Sequence, residues 1–487
     1  MRFHSVTFLI FFAVVGVLFF ILPQRFRWVV LLVSSYLFYL SGKPESLLLL
    51  AVLTLINYYA AIQMGRKAAK KERGRLLLLS LFSNLGLLVA FKYFNFFGQT
   101  LKIVFEQGGV FPDIPIFHIF LPVGISFYTF KNLSYSIDVY RGHIEPERHL
   151  GVFAVYVAFF PQLLAGPIER ARRLLPQFHK PTDLDDRRII RGLRLILWGL
   201  FQKMVVADNL AAFVDPVYND PAHYPGVILL AATLLFAFQI YYDFSGYSDI
   251  AIGAARVLGY ETMENFNQPY FSGSITEFWR RWHISLSTWF RDYLYIPLGG
   301  NRVSIPRTYL NLLIVFILCG FWHGANWTFL FWGGLHGFYL VVSNATERAR
   351  GRIVQEIGLT RTPRIHRFLK WGITFSLVCF AWIFFRANRL SEAFFITTHL
   401  FAGVENLFRM DLLRMLWASL PAGAEWIFGV VALGLAEASR FAVRRKRYGE
   451  TLFNVPAPLR WAAYYGMMIG ILLFGQFESK PFIYFQF

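Results

Sequence analysis

Long apolar runs separated by short basic tracts restrict this chain more than any other feature. Runs occupy 7–23, 27–41, 45–63, 76–97, 116–137, 192–212, 226–252, 308–322, 327–345, 371–386, 423–438 and 458–475. About 20 apolar residues in a helix cross the ~30 Å hydrocarbon core of a bilayer, and several of these runs are too long for the core helices of a soluble protein. Only 16% of residues are charged, while 56% are hydrophobic. The expected fold is therefore all-α: a polytopic transmembrane bundle of about 11–12 spans with re-entrant and amphipathic helices. The first run lacks a small-residue cleavage site and is followed closely by others, so it is expected to be a retained span and not a signal peptide.

A net charge of +19 suggests nucleic acid until its distribution is considered. Lys and Arg collect in tracts between the apolar runs, such as "GRKAAKKERGR" (65–75) and "RFAVRRKRYG" (440–449). That is the positive-inside pattern, with anionic lipid headgroups as the partner and no nucleic acid. Placing 65–75 in the cytoplasm after three spans puts the N-terminus outside. The arginine-rich segment 346–370 and the tract 440–449 then fall inside, and "VDPVYNDPAHYPG" (214–226), without Lys or Arg, falls outside. The scheme requires 150–166 to enter the membrane and return without crossing, which irregular backbone does only inside a protein bundle. It makes 308–345 a hairpin entering from the cytoplasm and bending at "HGANW", with His323 deep in the membrane or toward its outer side. With no internal repeat or linker, residues 1–487 are expected to form a single membrane domain whose core, 121–345, carries the active-site motifs.

Cys319 and Cys379 are the only cysteines, too few and too far apart for a disulfide framework or a thiolate metal site. Three polar clusters interrupt the apolar surroundings. The first, "YYDFSGYSDIAIG" (241–253), contains Tyr242, Asp243 and Asp249. The second, "EFWRRWHISLSTWFRDYLYIPLGGNR" (277–302), reads as an interfacial amphipathic helix, with Arg280, Arg281 and Arg291 toward water or headgroups and Trp279, Trp282 and Trp289 toward acyl chains. It either anchors the chain or gathers an anionic acyl donor on its arginines. The third, "CGFWHGANWTFLFWGG" (319–334), contains His323 and Asn326.

Neither His283 nor His323 has a second ligand at helical spacing, so no metal is expected. A buried histidine is commonly structural, yet an ionisable residue at membrane depth usually marks a polar path or a reacting site. Neutral imidazole can take a hydroxyl proton during attack on a thioester, so His323 is the candidate base. "GISFY" (124–128) lacks the second glycine of a nucleophile elbow, and "HKPTD" (179–183) lies in a charged loop; neither is assigned chemistry. Asp138, Asp243 and Asp249 are expected to hydrogen-bond nearby Tyr and Ser between helices.

Together, "LPVGISFYTFKNLSYSIDVYRG" (121–142), "FFPQLLAGPIER" (159–170), "YYDFSGYSDIAIG", "FWRRWHISLSTWFRDYLYIPLGGNR" and "GFWHGANWTFLFWGGLHG" (320–337) resemble the membrane-bound O-acyltransferase family, in its alginate O-acetyltransferase-like branch. "AWIFFRA" (381–387) and the terminal "FIYFQF" look like the same branch, whereas Lys131 stands where that branch carries Gln. The resemblance implies a helical bundle around a central funnel, with His323 at the family's catalytic histidine and His283 at its second active-site position. It implies an O-acyltransferase that uses acetyl-CoA or an acylated carrier protein as donor substrate and binds no resident cofactor. It further implies a multi-pass protein of the bacterial inner membrane that works with a periplasmic SGNH-type acetyltransferase on a polysaccharide acceptor such as alginate. Arg280, Arg281, Trp282, Arg291, Asn326, Tyr242 and Asp243 are the candidate donor- or substrate-binding side chains.

Two other functions compete. A proton-coupled transporter of an acyl donor or glycan would use Asp138, Asp243 and Asp249, and its signature would be inverted repeats with matching broken segments. A non-catalytic scaffold would use His323 only to cap the hairpin bend.

Overall fold

Segments this apolar must satisfy every backbone N–H and C=O internally, and the regular elements among the described residues are all helical. The computed structural model describes residues 1–41, 45–109, 122, 124–164, 166–402, 420–421, 423–442 and 456–477. The tract from 443 to 449, the terminal "PFIYFQF" and the start of the run 116–137 lie outside them.

The contacts divide the chain into two units, and each takes in two separate stretches of sequence. The first comprises Met1–Ile196 and Tyr247–Met263. Its helices are α1 (Val6–Ile21), α2 (Gln24–Leu40), α3 (Glu45–Arg66), α4 (Lys70–Leu88), α5 (Phe94–Gln107), α6 (Ile125–Arg141), α7 (Leu150–Ala158), α8 (Phe160–Leu163), α9 (Ala171–Phe178) and most of α10 (Asp186–Phe201). A buried polar knot joins α3, α4 and α6: Asn57 Oδ1 accepts from Ser80 Oγ, from Asn84 Nδ2 at 3.0 Å and from Ser136 Oγ at 3.1 Å. The expected re-entrant segment 150–166 is a nine-residue helix and a four-residue helix, broken at Phe159 with Pro161 starting the second. Nine residues rise only about 14 Å, less than half the hydrocarbon thickness.

The second unit comprises Leu197–Gly246 and Glu264–Phe487. It includes α11 (Asp208–Asn219), the greater part of α12 (Gly226–Val257), α13 (Ile275–Arg281), α14 (Ile284–Phe290), α15 (Ile305–His323), α16 (Trp327–Ala345), α17 (Glu347–Glu356), α18 (Pro363–Arg386), α19 (Leu390–His399), α20 (Glu425–Ala442) and α21 (Ala457–Phe474). The expected hairpin 308–345 is present as α15 and α16. The two pack backbone to backbone: a Cβ on Gly320 would lie 2.2 Å from the Phe329 carbonyl oxygen, and one on Gly333 would lie 2.2 Å from that of Phe316. Small residues at such a crossing are how helices approach closely where lipid gives no hydrophobic drive.

Among the described residues, six helical stretches are long and apolar enough to cross a membrane: Glu45–Arg66, Lys70–Gln107, Gly226–Val257, Ile305–His323, Pro363–Arg386 and Ala457–Phe474. Of the other expected spans, that at 7–23 falls on a shorter helix, α1; that at 192–212 is interrupted at 202–207, where α10 passes through a π-helical turn into α11; and those at 327–345 and 423–438 fall on α16 and α20, which are long enough but less apolar or more charged. The protein is a multi-pass, all-helical membrane protein.

Candidate active site

The segment 277–290 is not one amphipathic helix. It breaks at His283, where φ is +41°, a left-handed conformation that costs a non-glycine residue about 1–2 kcal/mol. Surrounding backbone holds the break in place: Asn267 N–H donates to the Arg281 carbonyl and Ile284 N–H to the Asn265 carbonyl, both at 2.9 Å. The break resets the helical phase, which overturns the expectation that three tryptophans face acyl chains. Trp279, Trp282 and Trp289 are buried in the protein, at 7%, 1% and 7% exposure. Trp282 packs on Phe266, Phe278 and Trp382.

At the break, the His283 ring is fully buried. Its Nδ1 lies 2.9 Å from Asn265 Oδ1. That oxygen also accepts from the Ser285 backbone N–H at 3.3 Å and from Ser285 Oγ at 2.9 Å. A backbone N–H can only donate, so the atom facing His283 is the amide oxygen, and Nδ1 must carry the proton. Nε2 is then the lone-pair nitrogen, and it has no hydrogen-bond partner among the described residues. Burial lowers the imidazole pKa to about 3, so the ring stays neutral at ordinary pH. His283 thus presents a fixed hydrogen-bond acceptor.

His323 ends α15, where Gly324 takes an extended backbone and the chain turns into α16. The ring is buried and boxed edge-on by Trp322, Trp332 and Phe385, with centroids 4.9, 5.1 and 5.4 Å away. Trp322 also lies 6.2 Å from the ring of His283. One indole therefore touches both imidazoles that the sequence singles out, although 40 residues separate them.

The other expected site residues distribute differently. Asn326 serves the fold: its Oδ1 caps α16 by accepting the Thr328 N–H at 3.1 Å, and its Nδ2 donates to the Asn388 carbonyl at 3.1 Å. Tyr242 donates its hydroxyl to Glu437 at 2.6 Å. Asp243 has a cation beside it that the sequence reading did not name: Lys203, buried on the π-helical turn, pairs with Asp208 and Asp243, both at 2.8 Å. Asp243 nevertheless bears on the site, because the next residue, Phe244, meets the His283 ring edge-on at 4.6 Å. Arg281 is held by Glu277 at 2.6 Å and Arg291 by Asp292 at 2.8 Å, while Arg280 is exposed. Lys203, Asn265, Trp332 and His336 were not singled out from the sequence. Lys203 and His336 carried a usable signal, each an ionisable residue inside an apolar run. Asn265 carried none, since its role exists only through the fold.

Comparison with known proteins agrees with this architecture. The model of the membrane-bound O-acyltransferase family matches residues 147–387. The chain is 44% identical to the probable alginate O-acetylase AlgI of Pseudomonas aeruginosa, over 77% of this chain and 70% of that one. It is 36% identical to the peptidoglycan O-acetyltransferase of Helicobacter pylori, over 75% of this chain and 72% of the relative. It is 31% identical to the teichoic acid D-alanyltransferase of Streptococcus thermophilus, over 54% and 68% respectively.

Proposed function

Because this chain belongs to the membrane-bound O-acyltransferase family, we propose that it moves an acetyl or other short acyl group across the bacterial inner membrane. The donor is a cytoplasmic thioester, acetyl-CoA or an acylated carrier protein, and no resident cofactor takes part. The group is passed toward a periplasmic SGNH-type partner that acetylates an exported polysaccharide such as alginate. Identity is higher to the alginate relatives, at 42–44%, than to the peptidoglycan relative at 36%, which supports that choice of acceptor.

The observation that carries this reading is the pairing of His323 and His283 around one indole in a buried aromatic box. In the step proposed, an acceptor hydroxyl attacks the thioester carbonyl carbon, and His323 takes the hydroxyl proton. A C–O bond forms, the C–S bond breaks, and the proton leaves with the thiolate. Before attack, the hydroxyl donates its hydrogen bond to Nε2 of neutral His283, which holds a lone pair there, and is oriented by it; the one proton turns to His323 as the C–O bond forms. Positioning of this kind and exclusion of water are the protein's main contributions. Arg280 and the neighbouring arginines meet the anionic part of the donor.

Purified protein in proteoliposomes, supplied with labelled acetyl-CoA, tests the proposal. His323→Ala should lower acetyl release by about 10²–10⁴, the usual contribution of a general base. Undiminished acetyl release in that variant would remove His323 from the reaction, and uptake of intact acetyl-CoA without acetyl release in the wild type would instead favour a transporter.

A further inference from the structure

Trp332 Nε1–H and His336 Nε2–H, in the aromatic cluster that holds His323, have no acceptors among the described residues. In the aromatic cluster of the second unit, Trp382 Nε1–H donates to Tyr270 Oη at 3.1 Å, and Trp371 Nε1–H donates to the Tyr270 carbonyl at 2.6 Å. Trp279 Nε1–H donates to His336 Nδ1 at 3.2 Å. Trp332 Nε1–H has no acceptor among the described residues, although the side chain is fully buried. His336 is equally buried, and its Nε2 likewise has no partner.

The protonation of His336 follows from its neighbour. An indole N–H only donates, so His336 Nδ1 must hold a lone pair, and the proton of the neutral ring sits on Nε2. His336 is thus the tautomeric opposite of His283. One imidazole offers an unused acceptor, the other an unused donor. Leaving a buried polar group unsatisfied is costly, so native proteins keep few of them. Here, one of the two donors contacts both the base and the other donor: Trp332 lies 5.1 Å from the His323 ring and 5.0 Å from that of His336.

We propose that Trp332 Nε1–H and His336 Nε2–H hold the acyl carbonyl oxygen during transfer. The inference rests on the acyl-transfer reading above and adds two residues to it. A hydroxyl and an acyl carbonyl are together the complement of one unused acceptor and two unused donors. As the hydroxyl oxygen bonds to the acyl carbon, the carbonyl oxygen becomes an oxyanion. It returns to a carbonyl when the C–S bond breaks, and the hydroxyl proton passes from His323 to the departing thiolate. Donors fixed in a water-poor site act on the charge that develops and need no reorganisation to do so.

His336→Asn, His336→Gln and Trp332→Phe test the assignment, again with labelled acetyl-CoA in proteoliposomes. Asn keeps an oxygen near Nδ1 for Trp279 but removes the Nε2–H, so kcat should fall by about 10²–10³, the usual cost of one oxyanion donor, with KM for acetyl-CoA little changed. Gln returns an N–H near the Nε2 position and should recover part of that loss. Trp332→Phe should also act on kcat. Equal losses in the Asn and Gln variants that track a lowered melting temperature would overturn the proposal in favour of a packing role, as would wild-type kcat in His336→Asn.

A second readout does not require turnover. With a non-reactive ketone analogue of acetyl-CoA carrying a ¹³C carbonyl, the bound carbonyl stretch should lie at lower wavenumber in wild type and shift back in both His336→Asn and Trp332→Phe. An unshifted stretch in wild type would overturn the donor assignment while leaving the role of His323 standing. Absence of both analogue binding and thioester turnover in wild type would overturn the two together.

Discussion

Asn57 in the first unit and His336 in the second are both fully buried polar side chains on helices made largely of apolar residues, but their hydrogen-bonding capacity is used differently. Asn57 Oδ1 accepts from three side chains on two other helices, and its Nδ2 donates to the Leu53 carbonyl at 2.7 Å. His336 uses Nδ1 and leaves Nε2 unmatched among the described residues. A satisfied knot fixes how helices pack. A half-satisfied one sets up an interaction with something that arrives later. In a membrane interior, where water cannot fill the gap, that distinction separates structural polar residues from reactive ones more sharply than polarity or charge does.

Lys203 gives the strongest test of the claim that satisfaction, not charge, marks the difference. Its ammonium lies 2.8 Å from both Asp208 and Asp243, so the buried charges are paired within the cluster, and on that charge pairing we set it with Asn57 as a packing device. Lys203→Met would leave two buried carboxylates with no cation between them. Breaking a buried ion pair from one side costs about 3–5 kcal/mol, and thermal unfolding in detergent should show a loss of that order. Lys203→Met/Asp208→Asn/Asp243→Asn should recover much of it. A stable Lys203→Met protein that had lost only activity would move Lys203 to the reactive side of the comparison.

The same distinction explains what could be read from the sequence. Apolar runs and basic tracts carry the membrane class and the helices, since their cause is local: the run 308–322 became Ile305–His323, and the run 371–386 became the end of Pro363–Arg386. His283 and His323 stood out because ionisable groups are rare in such surroundings. Tautomers did not stand out. The proton on His283 Nδ1 depends on Asn265, and that on His336 Nε2 depends on Trp279, which is 57 residues away in sequence. The phase of the tryptophans was lost for a related reason: the positive φ at His283 is imposed by the 265–267 loop and has no local glycine to announce it.

Asn265→Asp sharpens the comparison from the reactive side. In the wild type, the His283 pKa of about 3 leaves Nε2 able to accept throughout the working range, so this group adds no pH dependence above about pH 4. A carboxylate opposite Nδ1–H favours the imidazolium and raises the pKa; an adjacent opposite charge typically shifts a group by about 1–3 units. Once protonated, Nε2 can only donate, and the acceptor is lost. Turnover by the variant should therefore fall as pH is lowered through the raised pKa and recover as pH rises. Raised from about 3 to at most about 6, that pKa gives up to about a tenfold fall between pH 7 and pH 5, against a flatter wild-type profile. A variant profile that superimposed on the wild type would remove the tautomer of His283 from the mechanism.

The smallest effect is expected at Asn57, which is what a wholly structural polar residue requires. Asn57→Ala removes the oxygen that Ser80, Asn84 and Ser136 share. Interhelical hydrogen bonds in membrane proteins contribute about 0.6 kcal/mol each on average. Ser80 Oγ lies 2.8 Å from Ser136 Oγ, and Asn84 Nδ2 also reaches the Ser80 carbonyl at 2.8 Å, so the remaining groups have one another to turn to. A loss of about 1–2 kcal/mol in detergent unfolding should follow, with kcat and KM for acetyl-CoA as in wild type. A fall in kcat without loss of stability would mean that a fully bonded polar knot can also serve the reaction, and counting unmatched donors and acceptors would no longer identify the groups that act on substrate.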